Sequence, residues 1–143
     1  LPQWLKNGGR VTMNALFRMD TQEIYEIMDF IKKMPLTANI TVNGQDYLLL
    51  HSCPPHFYNG KTVSKEAIWE FSVTNRVEID DVLSDGRIFI FGHTPTECYQ
   101  DCLPLSIYYG DGKIGINCGS GNRHEVCRLA CLRLDDMKEY YSD

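Results

Sequence analysis

Two histidines stand where two apolar runs end, and their position is the first sign of chemistry in this sequence. His51 follows the run YLLL, His93 follows IFIFG, and a proline comes shortly after each of them. Loops at the ends of central strands often carry functional residues, and a neutral imidazole is the commonest metal ligand in proteins. The residues alone leave two interpretations open: the pair binds a metal, or each is a hydrogen-bonded structural histidine. His56 and His124 lie in polar, loop-like stretches without a comparable signal, and His124 is predicted to be exposed.

The six cysteines raise a second metal hypothesis. Cys98 and Cys102, and likewise Cys127 and Cys131, are separated by three residues, whereas structural zinc sites usually have two between paired cysteines. If RLACLRL is a strand, the second pair lies about 13 Å apart and cannot bind one zinc ion. The first pair could still approach in a helical turn. Cysteines inside apolar runs behave as small hydrophobes, which favours a reducing cytoplasm over secretion.

Helices are predicted from apolar spacing and capping signals. DTQEIYEIMDFIKKMP predicts a helix that is capped by Asp20 or Thr21 and ends at its proline. SKEAIWEFSVTN predicts a second helix with Ser64 as its cap. Residues 1–20 are predicted to begin as a loop, because the Asn-Gly-Gly in WLKNGGRV is a strong breaker.

Strands are predicted from apolar runs and turn dipeptides. Asn43-Gly44 predicts a tight hairpin between NITV and QDYLLL, and DGRIFIFGH predicts a buried strand that leads to His93. LSIYYG, KIGINCG and EVCRLACLRL predict a mostly antiparallel C-terminal meander, with Asp111-Gly112 as its first turn. The acidic end, DDMKEYYSD, is predicted to be a solvated tail. The predicted fold class is α+β.

The overall composition is that of an ordinary globular domain. The 143 residues are 43% apolar and 23% charged, which predicts one domain over residues 1–143. The net charge is −5, and no cluster of Lys and Arg is present to neutralise phosphates, which argues against nucleic-acid binding. No apolar run approaches the roughly 18 residues of a membrane span, so no membrane partner is expected.

Several motifs together resemble a known family. FGHTPT, followed by INCGSG and RLACLRL, resembles the C-terminal half of the calcineurin-like metallophosphoesterases, in the branch of bacterial serine/threonine phosphatases and diadenosine tetraphosphatases. YLLLHSCPP resembles an earlier strand-plus-histidine motif of that branch, and WLKNGGRVT resembles its Trp…Asn-Gly-Gly…Thr stretch. These segments occur in the expected order and cover nearly the whole chain.

The resemblance implies an αββα sandwich with two divalent metal ions, manganese, iron or zinc, at the strand ends. By position, His51 and His93 match two histidines that bind one of the two ions. The implied enzyme is a cytoplasmic, metal-dependent phosphoric ester hydrolase that acts on a phosphoprotein or a nucleotide phosphoester. Such a metal pair activates water and neutralises charge on the phosphoryl oxygens.

Other family motifs are absent from the sequence: Asp-x-His, Gly-Asp-x-x-Asp-Arg-Gly and Gly-Asn-His-Asp/Glu. We therefore expect the chain to be the C-terminal portion of a longer phosphatase that lacks its N-terminal half, and to be inactive alone. Central strands without their neighbours would leave exposed edges, which predicts a homodimer of the isolated piece.

Three departures from the family pattern concern the site itself. HSCPP replaces a His-Ala-Gly type of turn, and Asn117 stands where Asp is common. Phe71 stands where many relatives carry a phosphate-clamping arginine, and Arg76 is the candidate to bind substrate phosphate instead. Two other hypotheses stay open: a non-catalytic pseudo-phosphatase or interaction module of the same fold, and a zinc-stabilised structural domain.

Overall fold

The computed structural model describes residues 4–58, 64–121 and 125–142, without the side chain of Asn7. The chain divides into two compact units, Leu1–Pro35 and Leu36–Asp143, and each is described by itself. The sequence prediction of one domain over residues 1–143 stays a prediction. None of the helices in the described part of the chain is long and apolar enough to cross a membrane.

The described part of the first unit is helical from Trp4 to Leu16, so the predicted break at Asn-Gly-Gly is wrong. A π-helical turn, Leu5–Gly9, leads directly into helix α1, Arg10–Leu16. The side chain of Trp4 lies against the backbone of Gly9, where a Cβ atom would collide with the indole ring. The Asn-Gly-Gly segment therefore permits a close contact between ring and backbone and does not break the helix.

Helix α2, Thr21–Lys33, has the bounds that its caps predict. The Asp20 carboxylate accepts a hydrogen bond from the Glu23 amide at 2.9 Å, and the Glu23 carboxylate accepts one from the Asp20 amide at 3.0 Å. This reciprocal capping box satisfies two of the amides that a helix start leaves unpaired. The helix ends before Pro35, as predicted, and none of its residues is buried.

The second unit is built on a mixed five-stranded sheet in the order β1-β2-β3-β5-β4. In chain order, the five strands are β1 Thr37–Val42, β2 Gln45–Leu50, β3 Ile88–Phe91, β4 Tyr108–Gly110 and β5 Lys113–Gly115. The β1–β2 and β4–β5 pairs are antiparallel hairpins, as their turn dipeptides predict. The β2–β3 and β3–β5 pairs are parallel, so the three central strands run in one direction.

The prediction of a mostly antiparallel C-terminal meander is only partly correct. β4 and β5 form the predicted hairpin, but β5 lies between β4 and β3 and does not pair with the strand that follows it. Strand β6, Ala130–Arg133, pairs instead with β7, Lys138–Tyr141, in a separate two-stranded sheet. The α+β class is therefore observed with a mixed five-stranded sheet and a separate two-stranded sheet.

The predicted solvated tail is strand β7, which contributes to the core. Its side chains alternate between more and less exposed, and Tyr141 is one of the less exposed. Its hydroxyl accepts a hydrogen bond from the Ile107 amide at 3.0 Å, and the Arg128 guanidinium lies 3.6 Å from its ring centre. The tail prediction is wrong because it counted the charges of this segment, whose apolar and polar residues do not alternate although their exposure in the strand does.

Both faces of the five-stranded sheet are covered, so its central strands are apolar on both sides. Tyr47, Ile90 and Ile114 belong to one buried cluster, and Leu48, Phe89, Phe91, Val77 and Leu83 to the other. Helix α3, Lys65–Thr74, follows β2 and starts at Ser64, whose hydroxyl accepts a hydrogen bond from the Ala67 amide at 3.0 Å. The ends of β2 and β3 are therefore supported by buried residues on both faces of the sheet.

Candidate metal centre at the strand ends

The parallel pairing of β2 and β3 brings the two predicted histidines to the same edge of the sheet. Leu49 pairs with Ile90, so both strands end at nearly the same level. The Gly92 amide continues this pairing beyond the strands and donates to the His51 carbonyl at 2.9 Å. His51 therefore directly follows β2, and His93 follows β3 by one extra residue.

The chain turns sharply at His93. This residue has a φ of +52°, which places it in the left-handed region that side chains other than glycine seldom occupy. The Thr94 amide donates to the Gly92 carbonyl across it at 2.6 Å, which closes a γ-turn with His93 at its centre. A turn of this kind carries backbone strain, and strain of this kind concentrates at functional sites.

The two imidazole rings are in direct contact. His51 Nε2 lies 3.1 Å from His93 Nδ1, and the ring centres are 5.0 Å apart with 66° between the ring planes. Both side chains are exposed. Partial burial, followed by the charge of His93, lowers the pKa of His51 and favours its neutral form. A neutral imidazole is the form that binds metals.

The separation of the two nitrogens fits a shared metal ion. Two imidazole nitrogens that bind one ion at about 2.0–2.1 Å lie about 2.8–3.4 Å apart for angles between 90° and tetrahedral at the ion. The observed 3.1 Å falls within that interval. It is equally the length of an ordinary hydrogen bond between one protonated and one unprotonated ring nitrogen. The distance between the two nitrogens thus agrees both with a shared metal ion and with a hydrogen bond between two structural histidines.

Asn117 holds the backbone on both sides of the turn, a role that sequence reasoning did not find. Its side-chain amide donates to the His93 carbonyl at 2.9 Å and accepts from the Gly119 amide at 3.0 Å. Its own backbone carbonyl accepts from the Thr96 amide at 2.9 Å. The departure from the family's Asp is the signal that the sequence offers at this position, and it does not predict these hydrogen bonds.

The segment after β2 is anchored to the end of α3. The Ser52 hydroxyl donates to the Asn75 carbonyl, and both Ser52 and Cys53 are buried. Burial raises the pKa of the Cys53 thiol to about 11, against a smaller opposing effect of its hydrogen bond to the Asn75 side chain. The thiol is therefore neutral at physiological pH, and it is poorly suited to bind a metal beside His51.

Arg76, the predicted phosphate-binding residue, is exposed and directly follows Asn75 in the chain. Its backbone thus begins one residue from the carbonyl that Ser52 contacts. None of the hydrogen bonds or ion pairs found in residues 4–58, 64–121 and 125–142 joins its guanidinium to either histidine. Phe71 packs edge to face against Tyr58, with ring centres 5.4 Å apart, and so has an aromatic partner.

The described residues do not supply a third ligand. Within them, no group of three or more His, Cys, Asp or Glu side chains could hold a metal ion. All six cysteines fall in this part of the chain and are free, so the cysteine-zinc hypothesis gains no support. His56 packs edge to face on Phe57 in a short 3-10 helix, Pro55–Phe57, whereas His124 lies outside the described residues.

Comparisons with known proteins add no relative. No protein-family model matches this chain, and no curated protein matches it significantly. The family resemblance therefore rests on the quoted motifs, and the geometry at the strand ends is the independent observation beside them.

Proposed function

We propose that this chain contributes two histidine ligands to the metal centre of a metal-dependent phosphoesterase, of the serine/threonine protein phosphatase type. The observation that carries the proposal is the pair His51 and His93, whose ring nitrogens lie 3.1 Å apart at the ends of adjacent parallel strands. The resemblance of the strand-end motifs supports the same assignment, because His51 and His93 match by position two histidines that bind one ion in that family.

Each part of the turn has a task in this proposal. His51 and His93 would hold the ion through Nε2 and Nδ1, the two nitrogens that face each other. A divalent ion, when bound, supplies Lewis acidity that activates water and neutralises phosphoryl charge. The lowered pKa of His51 keeps its ring neutral and so available as a ligand near neutral pH. Arg76 would clamp a phosphoryl group of a phosphoprotein or a nucleotide substrate.

The proposal requires further ligands from outside the 143 residues. A bridged metal pair needs a carboxylate between the ions, and the described residues offer no group of three candidate ligands. We therefore propose that this chain is the C-terminal portion of such an enzyme and does not hydrolyse phosphate esters by itself. The second candidate is a non-catalytic module of the same fold.

Metal titration of the 143-residue chain tests the histidine assignment. Calorimetric titration with Mn²⁺ and Zn²⁺ should detect one weak site in the wild-type chain. His51→Ala and His93→Ala should each weaken binding by at least about tenfold, because each removes one of two ligands. His56→Ala is the matched control, since its ring packs on Phe57 and takes no part in the pair. Equal affinities in all four proteins would refute the ligand assignment.

Hydrolysis of p-nitrophenyl phosphate by the longer natural protein separates the two candidates. If the chain belongs to a phosphoesterase, that protein should turn over the substrate in a metal-dependent manner, and His93→Ala should abolish turnover. A natural protein that binds metal through the pair but does not hydrolyse this or a phosphopeptide substrate would be the non-catalytic module instead.

A further inference from the structure

Asn117 connects two separate turns near the histidine pair. Through its side chain it binds the carbonyl of His93, and through its backbone it binds the amide of Thr96. The same side chain also caps its own loop, because its oxygen accepts from the Gly119 amide. One residue thus ties the segment after β3 to the segment after β5 by two hydrogen bonds, and a third bond fixes the orientation of its side chain within its own loop.

The chemistry of these bonds requires an amide. The His93 carbonyl needs a donor, the Gly119 amide needs an acceptor, and only Asn or Gln offers both on one planar group. An aspartate could accept from Gly119 but would place a negative oxygen against the His93 carbonyl. The two partners also determine the orientation of the side-chain amide, because the carbonyl can bind only its NH2 group and the backbone amide can bind only its oxygen.

The bond to His93 acts at the strained position. With a φ of +52°, the His93 backbone occupies a region that is unfavourable for an L-residue, so neighbouring contacts must maintain it. The carbonyl that Asn117 holds belongs to the peptide directly after the His93 Cα. Rotation of that peptide would change the direction of the His93 side chain and so displace its Nδ1 atom.

We propose that Asn117 is a positioning residue that holds the His93 imidazole against His51 by fixing the carbonyl of the γ-turn. This inference rests on the proposed function, because it assigns the task of the turn to metal binding. Asn117 does not contact a metal or a substrate in this proposal, and its effect passes through the backbone of His93.

Asn43 provides a matched control in the same unit. Like His93, Asn43 has a left-handed backbone, with a φ of +51°. Like that of Asn117, its side-chain amide donates to a remote carbonyl, that of Asp135, at 2.7 Å. It lies at the other end of β2, in the Asn-Gly turn. Substitutions at Asn43 and Asn117 thus remove the same kind of bond, but only the second removes it from the histidine turn.

Two measurements on the 143-residue chain test the inference. The first is the nuclear Overhauser contact between the His51 and His93 rings in metal-free buffer, which the wild-type geometry predicts. We expect Asn117→Ala and Asn117→Asp to lose this contact and Asn43→Ala to keep it. The second is the dissociation constant for Zn²⁺, which should rise about 10–100-fold in the two Asn117 variants, as for other residues that orient metal ligands.

Asn117→Asp makes the test decisive if Asn117→Ala does not fold, since it keeps the acceptor for Gly119. A folded Asn117→Asp variant with the wild-type ring contact would overturn the inference. Equal loss of the ring contact in Asn43→Ala would overturn it too, because the effect would then be one of general stability. If the wild-type chain binds no Zn²⁺ but its ring contact depends on Asn117, the proposed function fails and the positioning of His93 stands.

Discussion

The two ends of strands β2 and β3 use nearly the same backbone conformation for different purposes. At the hairpin end Asn43 has a φ of +51°, and at the histidine end His93 has a φ of +52°. Asn43 is followed by glycine in a two-residue turn, and its own amide donates to the Asp135 carbonyl. The side chain of His93 instead contacts His51, and its carbonyl accepts from the side-chain amide of Asn117, 24 residues later in the chain.

The difference lies in where the support for the strained residue comes from. At the hairpin end, residue type and turn length are local choices that suit a left-handed backbone, and the side chain of Asn43 itself donates to the remote carbonyl of Asp135. At the histidine end, the backbone of His93 is held in a γ-turn. The Thr94 amide donates to the Gly92 carbonyl across the turn, and the Asn117 side chain donates to the His93 carbonyl. One hydrogen bond within the γ-turn and one from Asn117 therefore maintain the strained backbone of His93.

The largest expected effect comes from the strand that carries His93. Phe91→Ala should reduce the free energy of unfolding by about 3–5 kcal/mol, because Phe91 is almost fully buried among the aromatic residues of one sheet face. Urea denaturation measures this. Phe17→Ala, at a side chain that is 78% exposed, is the control and should change stability by less than about 0.5 kcal/mol. A small effect at Phe91 would show that the histidine end does not depend on the core beneath it.

The second effect is a pH dependence confined to the histidine end. Burial raises the pKa of Cys53 from 9.0 to about 11, so the unfolded thiol ionises at a lower pH than the folded one. The contribution is complete below pH 9 and is lost as the pH rises to 11, which amounts to about 2–3 kcal/mol. The difference in unfolding free energy between wild type and Cys53→Ala should shift by this amount between pH 8 and 11.

The tyrosines do not disturb that comparison. Burial also raises the pKa of Tyr109 and that of Tyr141, the latter to about 12, but both tyrosines are present in both proteins. A constant difference between wild type and Cys53→Ala across the pH range would contradict the burial of this thiol.

The third effect measures the strain at His93. His93→Gly should be about 0.5–1 kcal/mol more stable than His93→Ala in metal-free buffer, because glycine adopts a positive φ without a steric cost. Thermal or urea unfolding at neutral pH is sufficient. His93→Ala itself should differ little from wild type, since the ring is exposed. If glycine gave no advantage over alanine, the turn would be unstrained and its comparison with Asn43 would lose its basis.

The smallest effect is expected at the hairpin end. Asn43→Gly relieves the same dihedral but removes the hydrogen bond to Asp135, and the two changes oppose each other. The net change in unfolding free energy should lie within about 0.5 kcal/mol of zero. A gain at Asn43 as large as that between alanine and glycine at His93 would mean that the two ends are supported alike.

The local elements could be predicted from the sequence because their signals are local. Asp20 and Ser64 cap the helices that follow them, and Asn43-Gly44 and Asp111-Gly112 form the hairpin turns. The two strand-end histidines are also adjacent, as expected if their strands are neighbours. Whether they bind a metal stays a prediction.

The errors at β5 and Asn117 concern contacts between segments that are distant in the chain, whereas those at Gly9 and β7 arise locally. The position of β5 between β3 and β4 depends on a parallel pairing that no turn dipeptide signals. Strand β7 was hidden by its charges, and Trp4 converted a predicted break at Gly9 into a helical turn. The role of Asn117 was missed because its partner His93 is far away in the chain.

By itself, the sequence determined the strands that end in histidine, the turns between strands and the starts of the helices, because hydrogen-bond caps and side-chain periodicity act within a few residues. Only the tertiary structure decided that β2 and β3 are parallel neighbours and that His51 Nε2 meets His93 Nδ1 at 3.1 Å. It also decided that Asn117 holds the turn between them. Those contacts depend on which strands share an edge, and that choice is made by burial of the whole sheet on both faces.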